Sequence, residues 1–176
     1  MQSDDALQRA GRVRLMLFDV DGVLTDGRLW YGPSGEELKV FSVLDGHGLK
    51  LLRESGVAVG FLSGRRSAAV AARAAELGIG ELLQGVDDKR AAFEALLARL
   101  GLPAEAVGFM GDELVDLPVL RRCGFACAPR EAQERVRAQA HYVAGAPAGA
   151  GAAREVCEFV MRARGTLDAM LARYLA

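Results

Sequence analysis

The sequence predicts an α/β fold: a doubly wound parallel sheet in a three-layer sandwich, with a β-hairpin protruding from it. Three observations predict it. Residues 13–18 form an apolar run broken only by Arg14, which reads as a strand buried on both faces. Strand-like runs and helix-period segments alternate along the rest of the chain, the mark of repeated βα units. Gly56, Gly78, Gly101 and Gly124 follow the helical segments closely, as helix stop signals do.

In chain order, residues 1–11 are polar and are expected to form a flexible tail, leaving 12–176 as a single domain. After the strand at 13–18, residues 28–31 and 38–42 flank the turn sequence Gly32-Pro33-Ser34-Gly35-Glu36 and read as a hairpin spanning about 28–42. A lone hairpin is marginal. Trp30, Tyr31, Val40 and Phe41 give it an apolar surface best covered by a second subunit. Strands are expected at 57–62, 79–83, 107–110, 125–128 and 141–143, with His141 opening the last. Helices are expected at 48–54, 67–77, 89–100, 114–122 and 132–138, and Asp87 or Asp88 caps the third. Towards the C-terminus, Val156, Phe159 and Val160, then Leu167, Met170 and Leu171, recur at helical spacing and read as packing faces.

Composition excludes several classes. At 176 residues with 51% hydrophobic content, the chain is long enough for a real core and too apolar for disorder. A net charge of −1 offers no footprint for nucleic acid or an anionic membrane. No apolar run approaches the ~18 residues of a spanning helix, and the polar start of the chain shows no secretion signal. Cys123, Cys127 and Cys157, an odd number without a Cys-x2-Cys pair, suggest packed thiols in a reducing compartment.

The chemistry concentrates in Phe18-Asp19-Val20-Asp21-Gly22-Val23-Leu24-Thr25-Asp26-Gly27. Asp19 and Asp21 leave the carboxyl end of a buried strand, where open α/β sheets bind their ligands. Asp and Gly also make ordinary turns, but two acids in this place suit a nucleophile beside a general acid, made tolerable by a divalent cation. Calcium-loop spacing fails, because the sixth position from Asp19 is Leu24 rather than Gly. No phosphate-binding glycine loop follows a strand. Three further polar sites lie at strand ends: Ser63-Gly64-Arg65, Lys89 at a helix start, and Gly111-Asp112-Glu113-Leu114-Val115-Asp116. Each alone has a bland reading as a turn, a surface lysine or a helix cap.

Taken together, the order Asp-x-Asp, Ser, Lys, Gly-Asp-x3-Asp, each at a βα junction, resembles the haloacid dehalogenase-like superfamily of phosphotransferases. The resemblance implies a Rossmann-like core over residues 13–143. Asp19 would attack phosphorus to give an aspartyl-phosphate, and Asp21 would protonate the leaving alkoxide and later activate water. Ser63 and Lys89 would hold the phosphoryl oxygens. Mg²⁺ would be bound by the Asp19 carboxylate, the Asp21 backbone carbonyl and Asp112. Glu113 and Asp116 would support these groups, Asp116 by orienting Lys89 or a water.

A closer resemblance rests on Asp19 to Gly27, the hairpin, Asp45-Gly46-His47-Gly48, Gly85-Val86-Asp87-Asp88-Lys89 and Ala153-Arg154-Glu155-Val156-Cys157. These segments look like the 3-deoxy-D-manno-octulosonate 8-phosphate phosphatase family. That family implies a cytoplasmic Mg²⁺-dependent hydrolase of lipopolysaccharide precursor synthesis. It also implies no separate cap domain and a homotetramer whose hairpins form a central barrel, with neighbouring subunits closing each site. The substrate is then a phosphorylated sugar acid, met by Gly64, Arg65, Asp45 and Arg154, the two arginines facing its carboxylate. The chain departs from the family pattern at Leu44, where many members have Arg, and at His47, where they have Tyr. Glu113 replaces a second Asp, and Ala148-Gly149-Ala150-Gly151 lacks the Arg of a Gly-Gly-Arg-Gly segment. None of these removes a catalytic group, but Leu44 and Ala150 remove charges that could meet a sugar acid. His47 reads as a loop or interface residue. A nine-carbon ulosonate phosphate as substrate, and a non-catalytic regulatory subunit, are the alternatives. Retention of Asp19, Asp21, Ser63, Lys89 and Asp112 together argues against the second.

Overall fold

In the computed structural model, which describes residues 4–175, the chain begins with helix α1 (Asp4–Ala10) rather than a loose tail. Ala6 and Ala10, one turn apart, are fully buried, and Arg9 reaches the Gly124 carbonyl at 3.3 Å. The polar composition hid this small-residue stripe, and residues 1–3 of the expected tail lie outside the described residues.

Strand β1 (Leu15–Phe18) follows, then the hairpin strands β2 (Trp30–Tyr31) and β3 (Glu37–Leu38). Next come α2 (Val43–Glu54), β4 (Ala58–Leu62), α3 (Ala68–Leu77), β5 (Glu81–Leu83) and α4 (Lys89–Leu100). After β6 (Val107–Met110), a single 3₁₀ turn leads into α5 (Leu117–Leu120), β7 (Phe125–Ala128), α6 (Glu134–Arg137) and β8 (Tyr142–Val143). Helices α7 (Ala152–Ala163) and α8 (Leu167–Ala172) complete the chain. Among the described residues, six strands form one parallel sheet in the order β5-β4-β1-β6-β7-β8, and β2 and β3 pair separately as an antiparallel hairpin.

Strand β1 shows why the sheet is covered on both sides. Its side chains alternate between two apolar clusters. Leu15 and Leu17 pack with Phe93, Leu96, Phe109 and Val119 on the face covered by α4, α5 and α6. Met16 and Phe18 pack with Leu52, Phe61, Phe125 and Phe159 on the face covered by α1, α2, α3, α7 and α8. All four β1 residues have no exposed surface, so an alternating polar pattern would be ruinous and the run is continuously apolar.

Helix α2 begins five residues before the expected start at 48, because Ser42 caps it by accepting the Asp45 amide at 3.3 Å. Asp45-Gly46-His47-Gly48 is therefore helix, not loop. Gly48 has a packing reason: a Cβ there would lie 2.9 Å from Arg154 Cα on α7. Asp88, the second of the two expected candidates, caps α4 through the Ala91 amide. The single helix expected at 114–122 is broken into a 3₁₀ turn and a short α5, with Pro118 near the junction. The last strand begins one residue later than expected: His141 immediately precedes β8, its Nδ1 accepting the Ala126 amide at 2.8 Å.

The hairpin's apolar surface divides. Trp30, Tyr31, Leu38 and Val40 are exposed, and Val43 and Leu44 on α2 are exposed as well. Phe41, expected on that outer face, instead turns inward against the core of its own chain.

Candidate active site

Strand order reverses at β1: the chain builds towards β5 on one side, then crosses to β6 on the other. Such a switch point opens a crevice at the carboxyl ends of the strands. Asp19 follows β1, Ser63 follows β4, Asp112 lies two residues past β6, and Lys89 begins α4 after β5. A cleft of about 190 Å³ is lined by Asp19, Asp21, Ser63, Gly64, Arg65, Lys89, Asp112, Glu113 and Val115. Every expected catalytic and metal-binding side chain thus meets in one place.

The acidic loop is shaped locally. The buried Thr25 hydroxyl donates to the Val20 carbonyl and accepts the Gly27 amide at 3.2 Å. Gly22 has φ +86, and a Cβ there would lie 2.1 Å from Asp112 Oδ2. Only glycine lets the loop pass this close to the second acid.

Electrostatics divide the cleft into two halves. On one side, Lys89 Nζ lies 2.6 Å from Asp116 Oδ1 and 3.0 Å from Asp19 Oδ1, all three residues buried. Carboxylate oxygens of Asp19, Asp112 and Asp116 lie within 4.8 Å of one another. Three carboxylates thus face one ammonium, an excess of two negative charges when all are ionised. The carboxyls respond as expected. Burial, then the Asp116 charge, pushes Asp19 up against the pull of Lys89. Burial, then the charges of Asp19 and Asp116, pushes Asp112 up to about 8. Burial pulls the Lys89 ammonium down, but Asp19 and Asp116 outweigh it and hold it above the ordinary lysine value.

This half fits a divalent cation. Asp112 Oδ1 is buried with no hydrogen-bond partner, and a hard cation takes such oxygens. Asp116 is differently placed, because its oxygens are already used. Oδ1 takes Lys89, while Oδ2 accepts the amides of Asp112 and Glu113 at 3.0 and 3.2 Å. It orients the lysine and the following loop, leaving Asp19 and Asp112 as the side chains available to a metal. Glu113 accepts the Leu114 amide at 2.6 Å and caps the 3₁₀ turn.

The other half neutralises itself. The Asp21 carboxylate contacts Lys39 and lies 3.9 Å from Arg65 Nε. Glu37 takes Lys39 at 3.1 Å and Arg65 Nη2 at 2.5 Å. The hydrogen bond from Arg65 holds Glu37 down at about 2, against the opposing effect of burial and with help from Lys39. Sequence reasoning missed Glu37 and Lys39. The available signal was their spacing: two apart, they share the inner face of the hairpin while Leu38 and Val40 take the outer one.

Two expected substrate contacts lie elsewhere. Asp45 is buried and caps α7, accepting the amides of Gly151 at 3.2 Å and Arg154 at 2.9 Å. A carboxylate committed to a helix N-terminus cannot also face a sugar. The Arg154 guanidinium pairs with Glu158 at 2.5 Å and contacts His47 at 3.3 Å. It borders a separate cleft with His47, Leu51, Leu171, Tyr174 and Leu175, so within one subunit it is not part of the phosphoryl site. Gly64 and Arg65 remain in the cleft.

The class defined by this fold and this cation-deficient cleft is the haloacid dehalogenase-like hydrolases, and the sequence profile of that family matches residues 33–124. Several relatives are nearly co-extensive with the chain. The 3-deoxy-D-manno-octulosonate 8-phosphate phosphatase of Yersinia pestis is 42% identical over 94% of this chain and 89% of its own length. The Escherichia coli K12 enzyme of that name is 41% identical over 94% and 88%. A Moraxella catarrhalis crystal structure of such a phosphatase, in complex with magnesium, phosphate and the sugar acid, is 39% identical, covers 97% of this chain and 98% of its own, and superposes with a TM-score of 0.95. The chain belongs to the haloacid dehalogenase-like hydrolases and, within them, to the 3-deoxy-D-manno-octulosonate 8-phosphate phosphatase family.

Proposed function

We propose that this chain is a Mg²⁺-dependent phosphatase that hydrolyses 3-deoxy-D-manno-octulosonate 8-phosphate to the free sugar acid and phosphate. The observation that carries the reading is the convergence of Asp19, Asp21, Ser63, Lys89 and Asp112 on one cleft, in a chain that shares 41–42% of its residues with enzymes of that name.

The residues divide the work as follows. The Ser63 hydroxyl and the Lys89 ammonium hold the phosphoryl oxygens, and Lys89 lessens repulsion between the phosphate and the nucleophile. An Asp19 carboxylate oxygen attacks phosphorus, forming an aspartyl-phosphate as the bond to the sugar oxygen breaks. Asp21 gives its proton to that leaving oxygen, then takes one from the water that attacks the aspartyl-phosphate, releasing phosphate and restoring Asp19. Bound by Asp19, Asp112 and the Asp21 carbonyl, Mg²⁺ supplies the positive charge that the carboxylate cluster lacks. Asp116 keeps Lys89 in position throughout.

Arg65 is the cation best placed for the carboxylate of the sugar acid. The exposed hairpin fits a homotetramer in which neighbouring subunits complete each site, bringing groups such as Arg154 to a neighbour's substrate. The proposed setting is cytoplasmic synthesis of a lipopolysaccharide precursor. Among the described residues no helix is long and apolar enough to cross a membrane.

Phosphate release from a panel of sugar phosphates with Mg²⁺ tests the reading. The eight-carbon sugar acid 8-phosphate should have the highest kcat/KM, and Asp19→Asn should abolish turnover with the fold intact. Full activity after chelation of all divalent metal overturns the mechanism. Leu44 and Ala150, uncharged where the family often has Arg, favour one alternative: a nine-carbon ulosonate 9-phosphate hydrolysed with clearly higher kcat/KM would replace the substrate assignment.

A further inference from the structure

Lys39 lies at the end of β3, on a two-stranded hairpin with much of its outer surface in water, yet its side chain is only 1% exposed. Lysine is almost never this buried unless it is paired, and its partners lie at the reacting centre. Its ammonium contacts Asp21 Oδ1 and lies 3.1 Å from Glu37 Oε1. Glu37 in turn ties Arg65 at 2.5 Å, and Arg65 is steadied by the Tyr31 hydroxyl at 3.4 Å. Among the described residues, Lys39 is the hydrogen-bond partner of the Asp21 carboxylate, and Arg65 Nε is the other charge near it, 3.9 Å from Oδ2. Asp21 itself sits on the loop between β1 and the positive-φ glycine Gly22.

We infer that Lys39 is a positioning residue for Asp21: it fixes Oδ1, leaves Oδ2 to meet the leaving oxygen, and makes seating of the hairpin a condition for proton donation. The inference rests on the reading of Asp21 as the acid–base group. It assigns a function to the inner face of the hairpin, distinct from the outer apolar face. The Glu37 bridge explains why Lys39 and Arg65 stay together beside one carboxylate despite their like charges.

The test separates proton donation from general damage. Phenyl phosphate and p-nitrophenyl phosphate present the same ring, but phenoxide needs a proton far more than p-nitrophenoxide does. kcat/KM is read for each because it covers only the steps through departure of the leaving group. With Lys39→Met, the phenyl to p-nitrophenyl ratio of kcat/KM should fall about tenfold or more, within the range lost with general acid catalysis. Equal losses on both substrates, or no loss, overturn the inference. Should Lys39→Met fail to fold, the isosteric Glu37→Gln decides. It leaves Lys39 in place with one anchor fewer and should lower the same ratio by a smaller factor; an unchanged ratio overturns the inference. Unmodified protein with Mg²⁺ is measured alongside. If it hydrolyses neither ester nor the sugar acid phosphate, the proposed function fails, a result distinct from a variant that leaves the ratio unchanged.

Discussion

Asp112 illustrates the conflict stored in the cleft. One of its oxygens is buried without a partner, and its carboxyl is pushed up to about 8, by burial first and then by its acidic neighbours. A carboxyl whose folded pKa is raised contributes stability that is complete below its unfolded value and is lost as pH rises through the folded value. Between about pH 4 and pH 8 the folded, metal-free protein binds more protons than the unfolded chain, so its stability should decline across that window. Asp19, raised for similar reasons, acts in the same direction. Thermal unfolding in a chelator should therefore show Tm falling as pH rises, and saturating Mg²⁺ should flatten the slope. Asp112→Asn is neutral at every pH and removes the cost of protonating that carboxyl in the folded state. It should raise metal-free stability at pH 7 by roughly 1–3 kcal/mol while abolishing most of the Mg²⁺-induced rise in Tm. A variant that is less stable without metal would show that Asp112 is a structural acid.

At the scale of elements, the contact between α2 and α7 joins the middle of the chain to its C-terminal segment. Asp45 on α2 caps α7, and Gly48 lets the two backbones approach until a Cβ would lie 2.9 Å from Arg154 Cα. Two opposed effects meet at Gly48. Alanine in a helix interior is better than glycine by about 1 kcal/mol, whereas forcing a methyl against a neighbouring backbone costs about 1–3 kcal/mol. The neighbour here is backbone, which yields less readily than the end of a flexible side chain, so packing should win. Gly48→Ala should lower stability in denaturant titration, and a stabilised variant would mean that the helices separate easily. The same approach brings His47 against Tyr174, 2.9 Å between His47 Nε2 and the hydroxyl, and so ties the C-terminal segment to α2. His47 thus joins two segments of its own chain.

At the scale of the whole molecule, the apolar outer face of the hairpin has no cover among the described residues. Trp30 is 53% exposed and Val40 69%, and Val43 and Leu44 at the start of α2 are exposed too. A contiguous apolar surface of this kind marks a contact site, and a second copy of the chain fits the proposed tetramer. Val40 is the better probe than Phe41, which is packed into its own subunit and would report on folding instead. Val40→Asp should shift sedimentation towards smaller species and lower kcat/KM for the sugar acid phosphate, with little change in the Tm of the isolated subunit. An unmodified protein that sediments as an active monomer removes the assembly from the proposal.

Some features were legible because they are local. The apolar run at 13–18 could only be a strand covered on both faces, and the polar residues at the following strand ends had to emerge at one edge of a parallel sheet. The order of the sites along the chain therefore places Asp19, Asp21, Ser63, Lys89 and Asp112 at that same edge. Features that depend on what lies opposite were not legible. Residues 4–10 read as a tail because two buried alanines carry little hydrophobic signal. Asp45 read as a substrate contact because nothing in its neighbourhood announces a helix start more than a hundred residues away.

The sequence by itself determined the sheet, its direction and the end at which the acidic cleft opens, because strand period and turn chemistry are encoded by near neighbours. Tertiary structure alone decided which charges are compensated. Lys89 is shared between Asp19 and Asp116, Asp21 is held by Lys39 from the hairpin, and Asp45 is withdrawn to cap α7. The reason is physical: a charge in a buried cleft is governed by whatever lies within a few ångströms of it, and these partners come from distant parts of the chain.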